Sequence, residues 1–404
     1  MWHNEVDSNN VTEIRLRNTI YLGNGAINKI ADIAAEMKKN GISKVLCVTG
    51  RGAYKKTGAW DYVVKAFADN DIAYFLYDKA KPNPTVDQVD EATALGVANG
   101  VQAVLGIGGG SPIDTAKSAA ILLANTGYNA RELYNGKFAP VRALPIVAIN
   151  LTHGTGTEAN RFAVASIPET EHKPAIAYDC IYPWYSIDDP SLMVSLSEYQ
   201  TRSTAIDAVN HVVEAATTKV NSPLAVEMAR ETIANVAKYL PAALEDPTDT
   251  TARYWLTYAA MIAGACFDNG LLHITHALEH PLSALHPEFT HGAGLGMLLP
   301  AVVEEIYPAK AATLKYIFQD AIPELKAEAG FGKEAAEKIE KWLFSLGLTE
   351  KLEDDGFKES DIEKLTELAF TTPSLDMLLG LSPVEMTREN VAKIYRNSLQ
   401  PVCK

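Results

Sequence analysis

Four short apolar runs, KVLCVTG (44–50), IAYFLYD (72–78), AVLGIGG (103–109) and LPIVAINL (144–151), recur in the first part of the chain, separated by stretches with helix-like patterning. A run that is apolar at successive positions, not at alternate ones, is a strand covered on both faces. Such strands joined by helices build a parallel sheet. A doubly wound, Rossmann-like α/β domain is therefore predicted.

Upstream, TEIRLRNTIYLG (12–23) alternates polar and apolar residues before a glycine, which predicts a strand or hairpin at a sheet edge, and helical spacing follows from Ala26 to about Lys39. After about Pro190 the apolar runs stop, and 197–280 and the chain from Glu334 onward have helical periodicity. With 404 residues to distribute, two domains are expected. The turn-like IDDPSL (187–192) marks the change, predicting an α/β domain over 1–190 and an all-α domain over 191–404.

A net charge of −14 excludes a general nucleic-acid or anionic-membrane surface, and no long basic patch offsets it. Cys47, Cys180, Cys266 and Cys403 are scattered without a CxxC pair, which suggests neither a disulfide framework nor a thiolate zinc site, and fits a reducing cytoplasm. The N-terminus lacks a basic region followed by an apolar core, and nowhere do 18 apolar residues run together, so a soluble, unexported protein is expected.

Five of the nine histidines fall within the nineteen residues HITHALEHPLSALHPEFTH, from His273 to His291. If the run to His280 is helical, His273, His276 and His280 share one stripe. A helix ending near Pro281 and a loop through His286 and Pro287 would let His291 fold back toward the same point. Asp207 and His211, at i and i+4 in AIDAVNHVVEAA, are candidate ligands from elsewhere. Any one of these histidines alone reads as a core or surface residue; the cluster points to a metal.

In LGIGGGSPIDTAK (105–117) a buried strand ends in Gly108, Gly109, Gly110 and Ser111, and Pro112 suits the first turn of a helix. Glycines admit close approach of a phosphate, and free amides at the helix start supply donors. Ser111 stands where the Rossmann fingerprint has its third Gly or Ala, so a tight turn without ligand is the alternative. A second loop, LTHGTGTEAN (151–160), follows the strand PIVAINL and offers further donors at a strand's carboxyl end.

GGGSPIDTAK, HGTGTE, DAVNH and the THALEH…THG region together resemble the iron-dependent (group III) alcohol dehydrogenases, in order and over nearly the whole chain. The resemblance implies an N-terminal domain that binds NAD(P), a C-terminal helical domain, and a divalent metal in the cleft between them. It implies Asp207, His211, His276 and His291 as metal ligands, although His291 stands one residue further from His280 than the commoner family spacing. His280 is implied in proton transfer near the nicotinamide; His273 and His286 have no family role. Cofactor contacts are implied at Asn83, Gly108, Gly109, Gly110, Ser111, Asp114, Thr152, His153, Thr155 and Thr157, and a substrate-pocket position at Phe162.

Three imidazoles and a carboxylate suit Fe²⁺, with Zn²⁺ as the alternative, since Ca²⁺ or Mg²⁺ would call for more oxygen ligands. Where the family's NAD-using members commonly carry an Asp after the first of the four runs, this chain has Gly50 followed by Arg51. Losing the acid removes repulsion toward a 2′-phosphate and the Arg can pair with it, so NADP(H) is expected over NAD(H); the alternative for Arg51 is a solvated charge. KTGAWD, THGTGTE and DAVNHVVEAATTK are similar to NADP-using archaeal and anaerobe members. They imply oxidoreduction of a small primary alcohol or aldehyde, mainly as an aldehyde reductase. The resemblance also implies a homodimer or higher homo-oligomer in which the N-terminal strand pairs with its copy, the alternative being an edge strand blunted within one chain.

Three alternatives remain. One is a polyol dehydrogenase or a reductase of an anionic aldehyde, the latter with Arg161 as anchor, although Arg161 reads better as an outward-facing charge. A second is a lyase of the dehydroquinate synthase type, and a third a non-catalytic metal or nucleotide binder.

Overall fold

A computed structural model describes residues 1–5 and 13–402. Thr12, which opens the alternating edge segment, and Cys403 lie outside the described residues. The described residues form two compact units: 16–196 with 247–261, and 197–246 with 262–402, 1–5 and 13–15.

The first unit is built on eight strands: β1 (Thr19–Leu22), β2 (Lys44–Thr49), β3 (Ala73–Tyr77), β4 (Ala103–Gly108), β5 (Ile146–Asn150), β6 (Phe162–Val164), β7 (Ala175–Ala177) and β8 (Tyr185–Asp188). Six form one sheet in the order β1-β8-β5-β4-β2-β3, with every pairing parallel. All six residues of β4 and all five of β5 are buried, as a sheet covered on both faces requires. One apolar layer holds Leu46, Val104 and Ile146; the other holds Val45, Leu105 and Val147. β1 is indeed an edge strand, but it pairs parallel to β8, so there is no hairpin there.

From β2 the chain passes outward to β3 at the sheet edge and then returns to β4 on the other flank of β2. The winding therefore reverses between β2 and β4. Ligands of open α/β sheets bind beyond the carboxyl ends of the strands at such a reversal. Gly50 follows β2 and the glycine loop follows β4. The antiparallel pair β6–β7 lies outside the main sheet.

The described part of the second unit contains no strand. Helix Glu198–Thr217 is capped by Ser197, whose side chain accepts from the Gln200 amide, and buries fifteen of its twenty residues. Such a helix lies inside a bundle. The histidine-rich stretch departs from the expected course. Its helix runs Ile274–Leu285, continuing past Pro281, and a second helix begins at His291 itself. A helix tolerates the one amide bond Pro281 cannot donate when its neighbours are packed, and Leu278, Leu282 and Ser283 are fully buried. His273 is the N-cap of this helix and so leaves the expected stripe.

Two stretches depart from a division at residue 190. Residues 1–5 and 13–15 cluster with the helical unit, where the Glu5 carboxylate accepts from the Ala312 and Thr313 amides just past a break at Lys310. Residues 247–261 cluster with the sheet, where the buried Arg253 reaches His153.

Candidate functional site

Asp207 and His211 lie one turn apart on helix Glu198–Thr217, so their side chains share a face. From that face the Asp207 Oδ1 stands 3.5 Å from His211 Nε2, 3.9 Å from His276 Nε2 and 4.0 Å from His291 Nε2. The rings pack closely: His211 stacks on His276 with centroids 4.6 Å apart, and His276 meets His291 edge-on at 5.3 Å. Asp207, His211 and His276 are buried, whereas the His291 side chain is 25% exposed. Four ligand atoms thus converge from three helices.

What aims two of the three imidazoles, His276 and His291, is a pair of buried carboxylates absent from the sequence expectations. Glu214 accepts from His276 Nδ1 at 2.8 Å and also from the backbone amides of His273 and His276, closing the N-terminus of the Ile274–Leu285 helix. Glu279, fully buried, hydrogen-bonds to His291 Nδ1 and accepts from the Ser283 hydroxyl. A proton held on each Nδ1 leaves each Nε2 lone pair directed at the cluster. Burial works against ionisation of Glu214, yet the facing His276 and His273 hold its carboxyl below the ordinary value. Glu214 had a signal in the sequence: it stands seven residues after Asp207, completing an i, i+4, i+7 face. Glu279 had none beyond its place next to His280.

The His291 helix is brought close by its second residue. A Cβ on Gly292 would lie 2.0 Å from the Ser203 carbonyl oxygen, so only glycine lets the two helices approach this closely. His280 is buried with its ring centroid 5.7 Å from His291 and 6.3 Å from His276. His273 turns away, its Nε2 2.8 Å from the Thr217 hydroxyl, and the exposed His286 stacks on Phe357.

The donor set fits a divalent transition metal. Three imidazole nitrogens and one carboxylate oxygen suit Fe²⁺ or Zn²⁺. His276 Nε2 is buried and makes no hydrogen bond, which is costly for a nitrogen unless something else engages it. Asp207, His276 and His291 each offer a ligand atom within 4.8 Å of the others; Glu279, His280 and His291 do the same.

In the sheet unit the predicted residues gather at the carboxyl ends of β4 and β5. Helix Gly110–Ala124 starts directly after β4, with Gly109 as its N-cap. A Cβ on Gly109 would come within 2.9 Å of the Thr152 hydroxyl, and one on Gly110 within 2.8 Å of the Thr155 methyl. The two loops therefore meet backbone to side chain, and the cradle keeps its shape only with glycines there. Such a loop at a helix start suits a pyrophosphate.

Behind the cradle, Lys117 is fully buried. Its ammonium donates to the carbonyls of Thr157 (2.6 Å), Phe162 (2.8 Å) and Asn160 (2.9 Å) and to the Thr157 hydroxyl (2.9 Å). Asp114 accepts from the Thr157 hydroxyl at 2.7 Å and the Val164 amide at 3.0 Å; burial pushes it up to about 6, with the Lys117 charge opposing. His153 is fully buried with Nε2 2.8 Å from Arg253, and burial, aided by that charge, lowers it to about 3. Thus the side chains of Asp114, His153 and Thr157 are engaged with protein.

Asn83 adopts a left-handed conformation (φ 50°) in its turn, and Phe162 is half-buried with Arg161 5.8 Å above its ring. Arg161 itself pairs with Asp179 at 3.0 Å.

A cluster of candidate metal ligands on helices and a glycine cradle suited to a phosphate on a doubly wound sheet fit a class of proteins that use a metal and a nucleotide. Residues 18–190 match the model of iron-containing alcohol dehydrogenases, and 201–399 match that of the C-terminal part of the Fe-containing alcohol dehydrogenase family. The chain is 56% identical to the long-chain primary alcohol dehydrogenase AdhA of Thermoanaerobacter ethanolicus, over 98% of this chain and all of that one. It is 29% identical to the 1,3-propanediol dehydrogenase of Klebsiella pneumoniae, over 92% and 95% of the two chains. The crystal structure of NADH-dependent butanol dehydrogenase A from Thermotoga maritima superposes with a TM-score of 0.86 at 30% identity, covering 96% of this chain and 99% of that one. The chain belongs to the iron-containing alcohol dehydrogenases and is an oxidoreductase acting on alcohols and aldehydes. Membership implies iron and a nicotinamide cofactor. No helix among the described residues is long and apolar enough to cross a membrane.

Proposed function

We propose that this enzyme interconverts small primary alcohols and aldehydes with NADP(H), using Fe²⁺ held by Asp207, His211, His276 and His291. The observation that carries the reading is the position of Asp207 Oδ1, within 4.0 Å of all three imidazole Nε2 atoms. When bound, the ion supplies a Lewis acid for the alcohol or aldehyde oxygen and the nicotinamide supplies the hydride chemistry. Glu214 and Glu279 keep His276 and His291 in the Nδ1-protonated tautomer. His280, buried beside this cluster, passes the hydroxyl proton to and from solvent. The backbone of Gly108, Gly109, Gly110 and Ser111 holds the pyrophosphate, with Thr152 and Thr155 shaping the loop.

The preference for a primary alcohol draws on the relative from Thermoanaerobacter ethanolicus, whose name specifies long chains, and a half-buried Phe162 favours a linear chain over a branched one, so the substrate panel spans short and long linear aldehydes. NADP(H) preference is supported by Gly50 and Arg51 at the end of β2. The enzyme works as a homodimer or larger homo-oligomer in a reducing cytoplasm, consistent with its free cysteines.

The test combines metal analysis with turnover. Protein reconstituted with Fe²⁺ is expected to hold about one ion per chain and to oxidise NADPH with linear aldehydes faster than NADH. Bound metal and cofactor without turnover across a broad aldehyde and alcohol panel would favour a binding protein instead.

A further inference from the structure

A cavity of about 390 Å³ opens beside the carboxyl ends of β2 and β3, and its lining is rich in charge. Arg51, from the turn after β2, and Lys79 and Lys81, from the turn after β3, contribute three cations. All three are exposed. Among the described residues none makes an ion pair or a side-chain hydrogen bond, in a protein whose net charge is −14. Three cations crowded around one hollow repel each other and attract an anion.

The two acids in the lining, Asp78 and Glu91, offset the three cations only in part and leave the hollow net positive. Glu91 is oriented by the Tyr77 hydroxyl, which donates to it at 3.0 Å. Asp78 lines the cavity without pairing with any of the cations. The loop that carries the lysines is anchored: the Gln88 side chain donates to the Lys79 carbonyl at 3.0 Å and accepts from the Thr85 amide, within a capping box.

Strands β4, β2 and β3 are neighbours in that order, so the cavity lies about two strand spacings, roughly 10 Å, from the glycine cradle after β4. That separation places it at the nucleoside end of a dinucleotide whose pyrophosphate sits in the cradle.

We propose that Lys79 and Lys81, together with Arg51, seat the 2′-phosphate of the cofactor's adenosine, making the β3 turn and not only the β2 turn a determinant of cofactor choice. This rests on the NADP(H) reading above. Asp78 is the opposing element, an acceptor suited to a free ribose 2′-hydroxyl.

The experiment is calorimetric titration of the full chain with adenosine 2′,5′-bisphosphate and with 5′-AMP, which differ only in the 2′-phosphate. The wild type is expected to bind the bisphosphate more tightly by tenfold or more. Lys79→Ala and Lys81→Ala should each reduce that ratio by roughly fivefold to tenfold, as expected for losing a charge-assisted hydrogen bond. Raising salt should shrink the ratio in the wild type far more than in the double variant. Equal binding of the two nucleotides by the wild type would overturn the NADP(H) reading, and this inference with it. A wild-type ratio that persists in Lys79→Ala/Lys81→Ala would overturn this inference alone and leave the phosphate to Arg51 or another group.

Discussion

The metal cluster and the phosphate cradle solve opposite problems. At the cluster, side chains point at one another across three helices, and the anions Glu214 and Glu279 lie behind the imidazoles to aim them. At the cradle the working surface is backbone, and the aiming group behind it is a cation, Lys117, buried among carbonyls. The site suited to a cation is braced by anions, and the site suited to an anion is braced by a cation.

The largest expected effect breaks the cluster. His276→Ala should abolish stoichiometric metal binding and lower kcat/KM by about a thousandfold or more, since the ion's Lewis acidity contributes several kcal/mol. Metal content unchanged in that variant would remove His276 from the ligand set. Next comes the brace of the cradle: Lys117→Met strands several buried carbonyls and should cost about 3 kcal/mol of stability while leaving metal stoichiometry intact. A urea titration matching the wild type would show that the ammonium is dispensable.

Smaller, and sharper as a comparison, are the two carboxylates. Glu214→Ala and Glu279→Ala should each weaken metal affinity by roughly 10–100-fold, with Gln at either place restoring part of it as an acceptor. Chelator competition measures both, and equal affinity in all four variants would mean the tautomers are set without them.

The smallest effect is a pH slope. His153 is held at about 3 in the fold, below its unfolded value, so its stabilising contribution is complete above pH 6.5 and lost as the pH falls. Between pH 6.5 and 5 this amounts to about 2 kcal/mol. Asp114, pushed up to about 6, contributes in the opposite sense and is present in both proteins being compared. His153→Gln should therefore lose less stability on acidification than the wild type. Parallel pH slopes for the two would refute the assignment.

The same contrast explains what the sequence discloses. Strands β2, β4 and β5 were legible because continuous apolar runs can bury both faces in only one way; β3 carries the same kind of run but lies at the sheet edge, with Ala73 and Tyr74 exposed, so the expectation of cover on both faces fails there. β6 and β7, three residues each, carry too short a pattern to stand out, and β8 (YSID) mixes polar residues into a buried strand. Around the histidines, residue identity disclosed the chemistry but not the path: Pro281 suggested a helix end, and packing carried the helix through it. Lys117 and Glu279 stand in quoted motifs, yet their work depends on partners 40 and 12 residues away, which no local pattern reports. Arg51 was visible as a lone charge, whereas its company with Lys79 and Lys81 arises from the pairing of β2 with β3.

Gly292 carries one more consequence. Because the chain at Gly292 presses on the Ser203 carbonyl, the gap between Asp207 and His291 is gauged by main chain against main chain, not by flexible side chains. The radius of ion that the cluster admits is then a property of helix spacing. A methyl group at 292 would have to drive the two backbones apart and so displace His291 from Asp207 without altering a single ligand.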